Sequence, residues 1–577
     1  MLREYQIHNF KAFANQEKIP IRPITLIYGQ NSSGKSSVLQ SLLLLKQTLQ
    51  GATDPQTLLL AKGNFVDLGN FSQYINNHDL DKSFSFKVFF DLDTEQIMGG
   101  DSKFLSKYLS ANSLLGLEIS IKYDKEFSKI KFDHVDLFVG DKLRPLLSYI
   151  PSIAEDDNGI ILNIDESEIN FKHSFWQFWW QEFKLDFSKM LLSEIRDILE
   201  RKEIIRLSAR VSQKKVGNEL QKQKDVLKPK IEQLDYELKE IKSKVEDQGI
   251  GKLQIDGLES ELSDLENQYL LFDTLFQLQV RFQKYSFQQA EEDFVVALKY
   301  SHYVLCRHFL LNEVGDWQYD LSEPRSEYLS LVYKKTGALK PVLDLTIKAS
   351  TLLRGYLENL VYIRPLRSYP ERLYIFGGNN GEQVGQGGKN IADVLYTKPD
   401  VLNAVNKQFE LFDLGYEIKI SNFKDEETSD LSDVFAIRLI DRYTKVNVSL
   451  LDVGFGISQI LPVIIQSVLS RNKTIVIEQP EIHIHPRLQA QLGSLLAESV
   501  KSFGNRFIIE THSEHLLLRL QKLIRNGELS HEDIAVVYVD RGKNGSQCLE
   551  LRIDSEGDFI DEWPNGFFDE GFNEMFG

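Results

Sequence analysis

The chain has 577 residues, 42% of them apolar and 26% charged, and a formal net charge of −17. That length implies two or three domains rather than one core, and the acidity argues against a protein that coats nucleic acid with its whole surface, because phosphate contact rests on Lys and Arg. Only Cys306 and Cys548 are present, no apolar run is long enough to span a bilayer, and the N-terminus has no apolar signal core, so a cytoplasmic protein without disulfides or membrane contact is expected.

In chain order, Leu2, Tyr5 and Ile7 alternate as in a strand, and a second apolar run, ITLIYG at 24–29, stops at a glycine-rich turn. The helical pattern SSVLQSLLLLKQTL follows. The turn, GQNSSGKSS, fits the phosphate-binding pattern GxxxxGK[ST]. Its glycines let backbone N–H groups close around phosphate oxygens at the positive end of a helix. The candidate nucleotide-binding residues are Gly29, Asn31, Ser33, Gly34, Lys35, Ser36 and Ser37. Lys35 is expected on the β- and γ-phosphates of ATP and the Ser36 hydroxyl on Mg²⁺.

From about 83 to 165, short runs such as SFSFKVFFDL and LEISIKY predict antiparallel strands. From about 166 to 345 the pattern is mainly helical. Leu227, Ile231, Leu234, Leu238, Ile241 and Val245, then Leu258, Leu262, Leu265, Tyr269 and Phe272, recur at steps of four and three. That rhythm predicts an antiparallel coiled-coil hairpin over about 214–285. The first arm holds six Lys in 214–230, whereas 256–273 is acidic without Lys or Arg. Pro229 is expected to limit or bend the first arm. Two helices of an ordinary helical domain are the alternative.

From 346 to 577, strands such as VYIRPLR, YEIKISNF, VFAIRLID, TIVIE, NRFIIE and AVVYVD alternate with helical patterns. This predicts a parallel sheet that takes in the strand at 24–28 from the other end of the chain. TIVIE ends in Glu478, placed to stand near the Mg²⁺ water shell with Ser36. The next residue is Gln479, an amide that can orient water but cannot act as a strong base. Either Glu481 takes that role with Gln479 orienting, or hydrolysis is slow and bound ATP mainly holds a dimer together; weak hydrolysis with stable ATP-bound dimers is the favoured expectation. His512, just past the run FIIE, is placed to sense the γ-phosphate.

This ordered set resembles the ABC-type ATPases outside the transporter branch, which include RecF-like, SMC-like and OLD-family proteins. There an N-terminal P-loop is separated by a long insertion from a signature sequence, an acidic strand and a switch histidine. DVGFGISQILP at 452–462 takes the signature place, EQPEIHIHP the acidic strand and the loop after it, and ETHSEHL the switch. EQPEIHIHP, the PLR segment at 365–367 and WPNGFFDE at 563–570 are similar to a mostly bacterial family of AAA/ABC-like ATPases. The resemblance covers roughly 1–95 and 360–577. It implies an α/β, ABC-type P-loop head, with a mixed, largely parallel sheet, an antiparallel β subdomain and a helical insertion. It also implies that Gly454, Gly456 and Ser458 close in trans over the ATP of a second copy, so that the chain is a homodimer or a higher even oligomer. Similar ATPases stand beside nuclease or toxin genes in bacterial anti-phage systems of the Septu-like and retron-linked kinds, which implies a protein effector as partner. No acidic cluster of a fused nuclease is expected after the His512 segment. The alternative is a DNA-repair or chromosome-handling ATPase that clamps DNA, with DNA or RNA as partner.

Other groupings read as ordinary structure: His483 with His485, His302 with Cys306 and His308, and the aromatic run FWQFWW at 175–180. Arg364 and Arg367 suit phosphate, the opposite head or a surface ion pair about equally. The acidic, aromatic C-terminal stretch around Trp563 suits docking on a protein surface.

Overall fold

The computed structural model describes residues 1–52, 57–93, 103–156, 159–176, 178, 216–245, 252–284, 301–305, 317–319, 339–378, 381–424 and 431–566. Strands β1 (Leu2–His8) and β2 (Glu17–Pro20) pair antiparallel. β3 (Ile24–Gly29), buried at every residue, leaves for a second sheet and turns into helix α1 (Lys35–Gly51). Continuous burial is what a central parallel strand requires, and it is why ITLIY carries no polar alternation.

The chain then returns to the first sheet with β4 (Phe84–Asp91), passes helix α2 (Lys103–Ala111), and continues through β5 (Leu114–Asp124), β6 (Lys129–Val139), β7 (Leu147–Asp156) and β8 (Gly159–Ile169). Helices α3 (Val216–Val245) and α4 (Lys252–Lys284) follow, then β9 (Ser301–Leu305) and β10 (Trp317–Tyr319). The sheet is nine-stranded in the order β10-β9-β8-β7-β6-β5-β4-β1-β2, antiparallel at each pairing. The stretch expected to be mainly helical therefore also supplies two strands, with β10 at the edge.

Helices α3 and α4 lie antiparallel. Lys224 on the first bonds Asp273 on the second, and Lys242 pairs with Glu259. Leu227, Leu238 and Phe272 are buried. α3 continues through Pro229, so the proline does not limit the first arm. Residues 214–215, 246–251 and 285 of the expected hairpin lie outside the described residues, as do Cys306, His308, Gln177, Trp179 and Trp180. Phe175 and Trp176 join the core, edge-on to each other.

The C-terminal part opens with α5 (Leu339–Glu358) and β11 (Leu360–Ile363), then β12 (Tyr374–Ile375), α6 (Ile391–Thr397), α7 (Pro399–Leu411), β13 (Tyr416–Lys424), β14 (Leu431–Asp441) and β15 (Asn447–Ser449). It closes with α8 (Phe455–Leu469), β16 (Thr474–Glu478), α9 (Pro486–Phe503), β17 (Arg506–Glu510), α10 (Glu514–Arg525), β18 (Ile534–Gly542) and β19 (Gly545–Leu551). The second sheet runs β11-β16-β17-β3-β18-β19, parallel except for the last pair. β13 and β14 do not join it. With no helix between them they form their own antiparallel sheet with β12 and β15, contrary to the single parallel sheet expected from 346 onward.

Alternate residues of the parallel strands enter two cores. Ile27, Val476, Ile508 and Val537 face the core shared with α1, α5 and the antiparallel sheet. Leu26, Ile477, Ile509 and Val536 face α8, α9 and α10. The result is a layered α/β head in which both ends of the chain bring their loops to one edge of one sheet. Among the described residues no helix is long and apolar enough to cross a membrane.

Candidate functional site

Ligands of open α/β sheets gather beyond the carboxyl ends of the strands, and there β3, β16 and β17 deliver the singled-out residues. After β3 the backbone takes positive φ at Gly29 (144°), Ser32 (61°) and Gly34 (108°). A Cβ on Gly29 would lie 2.4 Å from the Val539 carbonyl oxygen, so no side chain fits. Ser33 is buried with its hydroxyl unpartnered, Asn31 is exposed, and the Ser37 N–H donates to the Gly34 carbonyl. Lys35, 4% exposed, folds its ammonium back on the Gly29 and Gln30 carbonyls at 2.9 and 2.7 Å. Burial lowers its pKa, opposed by the negative charges of Glu510 and Glu481.

Glu478 and Glu510 are the last residues of β16 and β17 and stand opposite each other in register. Tyr362 of β11 donates to Glu478 Oε1 at 2.8 Å. Burial, with Glu510 nearby, raises the Glu478 carboxyl to about 7 despite that hydrogen bond. Ser36 Oγ donates to Glu510 Oε1 at 3.0 Å, while Glu510 Oε2 is buried without a partner. Burial also raises Glu510, against the Ser36 bond and the Lys35 charge.

Gln479 makes the corner after the strand, with φ 43° and its N–H on the Glu510 carbonyl. Glu481 is tied back to β17: Oε2 accepts from Thr511 Oγ1 at 2.8 Å and Oε1 from the His512 N–H at 2.7 Å. Both its oxygens are thus engaged, which opposes the expectation that it swings toward a water. His512 sits at this junction, its imidazole pKa lowered by burial and then by Lys35.

Arg367 is buried, not a surface ion-pair residue. Nη2 donates to the Glu478 carbonyl at 3.2 Å, whereas Nε and Nη1 have no partner. Burial lowers it to about 10, opposed by Glu481 and Tyr362. Arg364 is exposed.

The signature residues lie on the other side of the loop after β16. Gly454 caps α8 with an ordinary φ of −57°, and a Cβ there would meet nothing within 4 Å. At Gly456 a Cβ would lie 2.8 Å from the His483 carbonyl oxygen. Ser458 is buried in the first turn of α8; its hydroxyl donates to the Phe455 carbonyl at 2.7 Å. That hydrogen is therefore not directed at a ligand.

Ser36, Glu510 and Glu478 are hard oxygen donors of the kind Mg²⁺ takes alongside phosphate oxygens and water. Among the described residues no three or more His, Cys, Asp or Glu side chains are grouped to hold a metal by themselves. The residues present fit a nucleotide-bound Mg²⁺: Ser33 and Glu510 each offer a buried oxygen without a partner beside the loop.

A family model described as AAA ATPase domain matches residues 1–319 and 382–517, which take in the P-loop, Glu478 and His512. The chain belongs to the AAA ATPase domain family. Nucleotide binding at the P-loop is what that membership supports. A second model, described as protein of unknown function (DUF3696), matches residues 529–576, the segment of this AAA ATPase that contains β18, β19 and Trp563. No curated protein matches.

Among solved structures the AAA ATPase chain is similar to an Smc head domain with an extended coiled coil, bound to the C-terminal domain of ScpA, from Pyrococcus furiosus, at 9% identity over 96% of each chain and a TM-score of 0.34. It is similar also to an SMC head domain from Thermotoga maritima, at 9% identity over 96% of this chain and 99% of the other, with a TM-score of 0.33. Those scores are too low to carry an argument about architecture, which rests on the sheet order above.

Glu510 and Tyr362 are the site residues that the sequence leaves unassigned to this site's chemistry, while for Arg367 it leaves phosphate, the opposite head and a surface ion pair open. The signal for Glu510 stood in plain view in FIIETHS, two residues before the histidine. Arg367 was noticed without its burial, and Tyr362 is marked by nothing except its place at the end of an apolar run.

Proposed function

We propose that this chain is an ATP- and Mg²⁺-binding ATPase of ABC type whose copies close in pairs on the nucleotide, turn it over slowly, and control a protein effector. The observation that carries the reading is Gly454. Its φ suits any residue and its Cβ direction is empty, so nothing among the described residues calls for glycine; a phosphate-bearing neighbour approaching the start of α8 does. Slow turnover fits an amide at Gln479 and a Glu481 held by two hydrogen bonds, because phosphoryl transfer asks mainly for positioning and charge stabilisation.

An effector of the nuclease or toxin kind, as in anti-phage defence, fits the exposed Leu366, Tyr369 and Phe455 beside α8, which offer apolar surface next to a nucleotide-dependent joint. The DNA-clamp reading rests on the lysines of α3. Of the lysines in 214–230, Lys224 is paired with Asp273 of α4, while Lys222, Lys228 and Lys230 are exposed, and the acidity of the chain as a whole opposes this reading.

Sedimentation velocity with and without MgATP tests the proposal. The wild type is expected to dimerise with ATP and Lys35→Ala not to. Gly454→Val is expected to bind ATP as a monomer of unchanged stability. Unimpaired ATP-dependent pairing of Gly454→Val would sink the trans arrangement.

A further inference from the structure

The segment at 529–576, matched by a family model of unknown function, carries a hairpin that closes on the P-loop. β18 pairs in parallel with β3, and β19 folds back antiparallel on β18. At the turn Gly545 takes a φ of 112°, and a Cβ there would lie 2.9 Å from the Ala14 Cβ, so the hairpin seats directly on the loop between β1 and β2. Ser546, the next residue, is 3% exposed. Its N–H donates to the Ala12 carbonyl at 2.8 Å and its hydroxyl to the Ser33 carbonyl at 2.5 Å.

That second bond fixes more than a carbonyl. A trans peptide is planar, with its C=O and N–H pointing in opposite directions, and no peptide bond among the described residues is cis. Holding the Ser33 carbonyl on the hairpin therefore turns the Gly34 N–H away from the hairpin. This N–H makes no hydrogen bond among the described residues. Gly34, at φ 108°, is where the plane is least constrained by its own chain, because glycine populates both signs of φ about equally. Without a hold, the Ser33–Gly34 plane can flip and present a carbonyl, not a donor, to a phosphate.

We propose that Ser546 is a positioning residue for phosphate binding: it locks the Ser33–Gly34 peptide with its N–H toward the nucleotide, which makes the C-terminal hairpin a wall of the cradle. The assignment rests on the nucleotide-binding reading above and gives the segment of unknown function a part in it. Ser546 acts through Gly34 and touches no ligand atom itself.

The test measures the affinity of the folded full chain for a fluorescent ATP analogue in EDTA, so that the cradle is read without the metal, alongside thermal melting. Ser546→Ala is expected to bind about 3–10-fold more weakly, the size of one neutral hydrogen bond. Ser546→Thr keeps the hydroxyl and is expected to bind within about 2-fold of the wild type. Arg552→Gln breaks an ion pair with Asp561 just past the far end of β19 and is expected to bind as the wild type does. If Ser546→Ala does not melt cooperatively, Ser546→Cys, which keeps the volume with only a weak donor, replaces it with the same expectation. Wild-type affinity in Ser546→Ala, or an equal weakening in Ser546→Thr, overturns the assignment while nucleotide binding stands. An equal weakening in Arg552→Gln also overturns it, as the mark of a general loosening of the segment. Absence of analogue binding by the wild type overturns the nucleotide reading itself, and this assignment falls with it.

Discussion

Replacing Glu478 by Gln is expected to stabilise the nucleotide-free protein, and to do so only toward neutral and alkaline pH. Burial beside Glu510 raises this carboxyl from 4.5 to about 7. At about 1.4 kcal/mol per pH unit, that rise corresponds to about 3 kcal/mol, reduced to about 2–3 kcal/mol because the side chain keeps some exposure. The sign follows from proton binding. Between pH 4.5 and 7 the folded state holds a proton that the unfolded chain has released, so stability falls as pH rises through this window. Gln carries no such loss, and its amide oxygen can still accept from Tyr362. Urea unfolding of the nucleotide-free protein at pH 4.5 and pH 8, followed by circular dichroism, makes the comparison. With a slope of about 3 kcal/mol per molar urea, the variant's midpoint should exceed the wild type's by about 1 M at pH 8 and by little at pH 4.5. Equal midpoints at pH 8, or a less stable variant, would refute the claim that the ionised carboxylate is held at a cost in the empty site.

Tyr362→Phe removes the donor that favours ionised Glu478 and should cost about 1.5–3 kcal/mol at pH 8, with a smaller loss at pH 5 where the acid is protonated; the same urea series reads it. Gly29→Ala places a Cβ 2.4 Å from the Val539 carbonyl, in a backbone region costing about 1–3 kcal/mol even without the clash, so analogue binding in EDTA should be lost. Wild-type binding by Gly29→Ala would refute the cradle. Trp563→Ala should lower stability by about 3–5 kcal/mol, because the indole lies edge-on to Tyr28 of the P-loop strand at 5.5 Å and also meets Tyr538 and Phe559; thermal melting of the full chain measures it.

How far the sequence foretold this arrangement depended on the type of signal. Buried parallel strands announce themselves as apolar runs, so ITLIY, TIVI and FII were readable, and the P-loop's glycines marked the cradle between strand and helix. The separate β13–β14 sheet was not readable as such, because adjacent strand patterns say nothing about which sheet receives them. The strands at 301–305 and 317–319 are not legible because runs of five and three residues carry little periodicity. In the site, motif reading ranked acids by order along the chain. The structure sets Glu510 opposite Glu478 in register at the ends of neighbouring strands, which order along the chain does not reveal. Trp563 was expected to suit a protein surface, and the surface it meets is that of its own head; residues 567–577 of that tail lie outside the described part.

The position of Gln479 then has a physical account that does not need a missing base. Its φ of 43° and its N–H bond to the Glu510 carbonyl make it the corner through which the chain leaves β16 and crosses toward β17. From that corner the loop runs to Glu481, which holds Thr511 and His512, and on to His483, whose carbonyl lies against Gly456 at the start of α8. One short segment therefore touches both the helix proposed to close on a second copy and the histidine proposed to sense the triphosphate. A Glu481 carboxylate that swung toward a water would give up its hydrogen bonds to Thr511 and the His512 N–H.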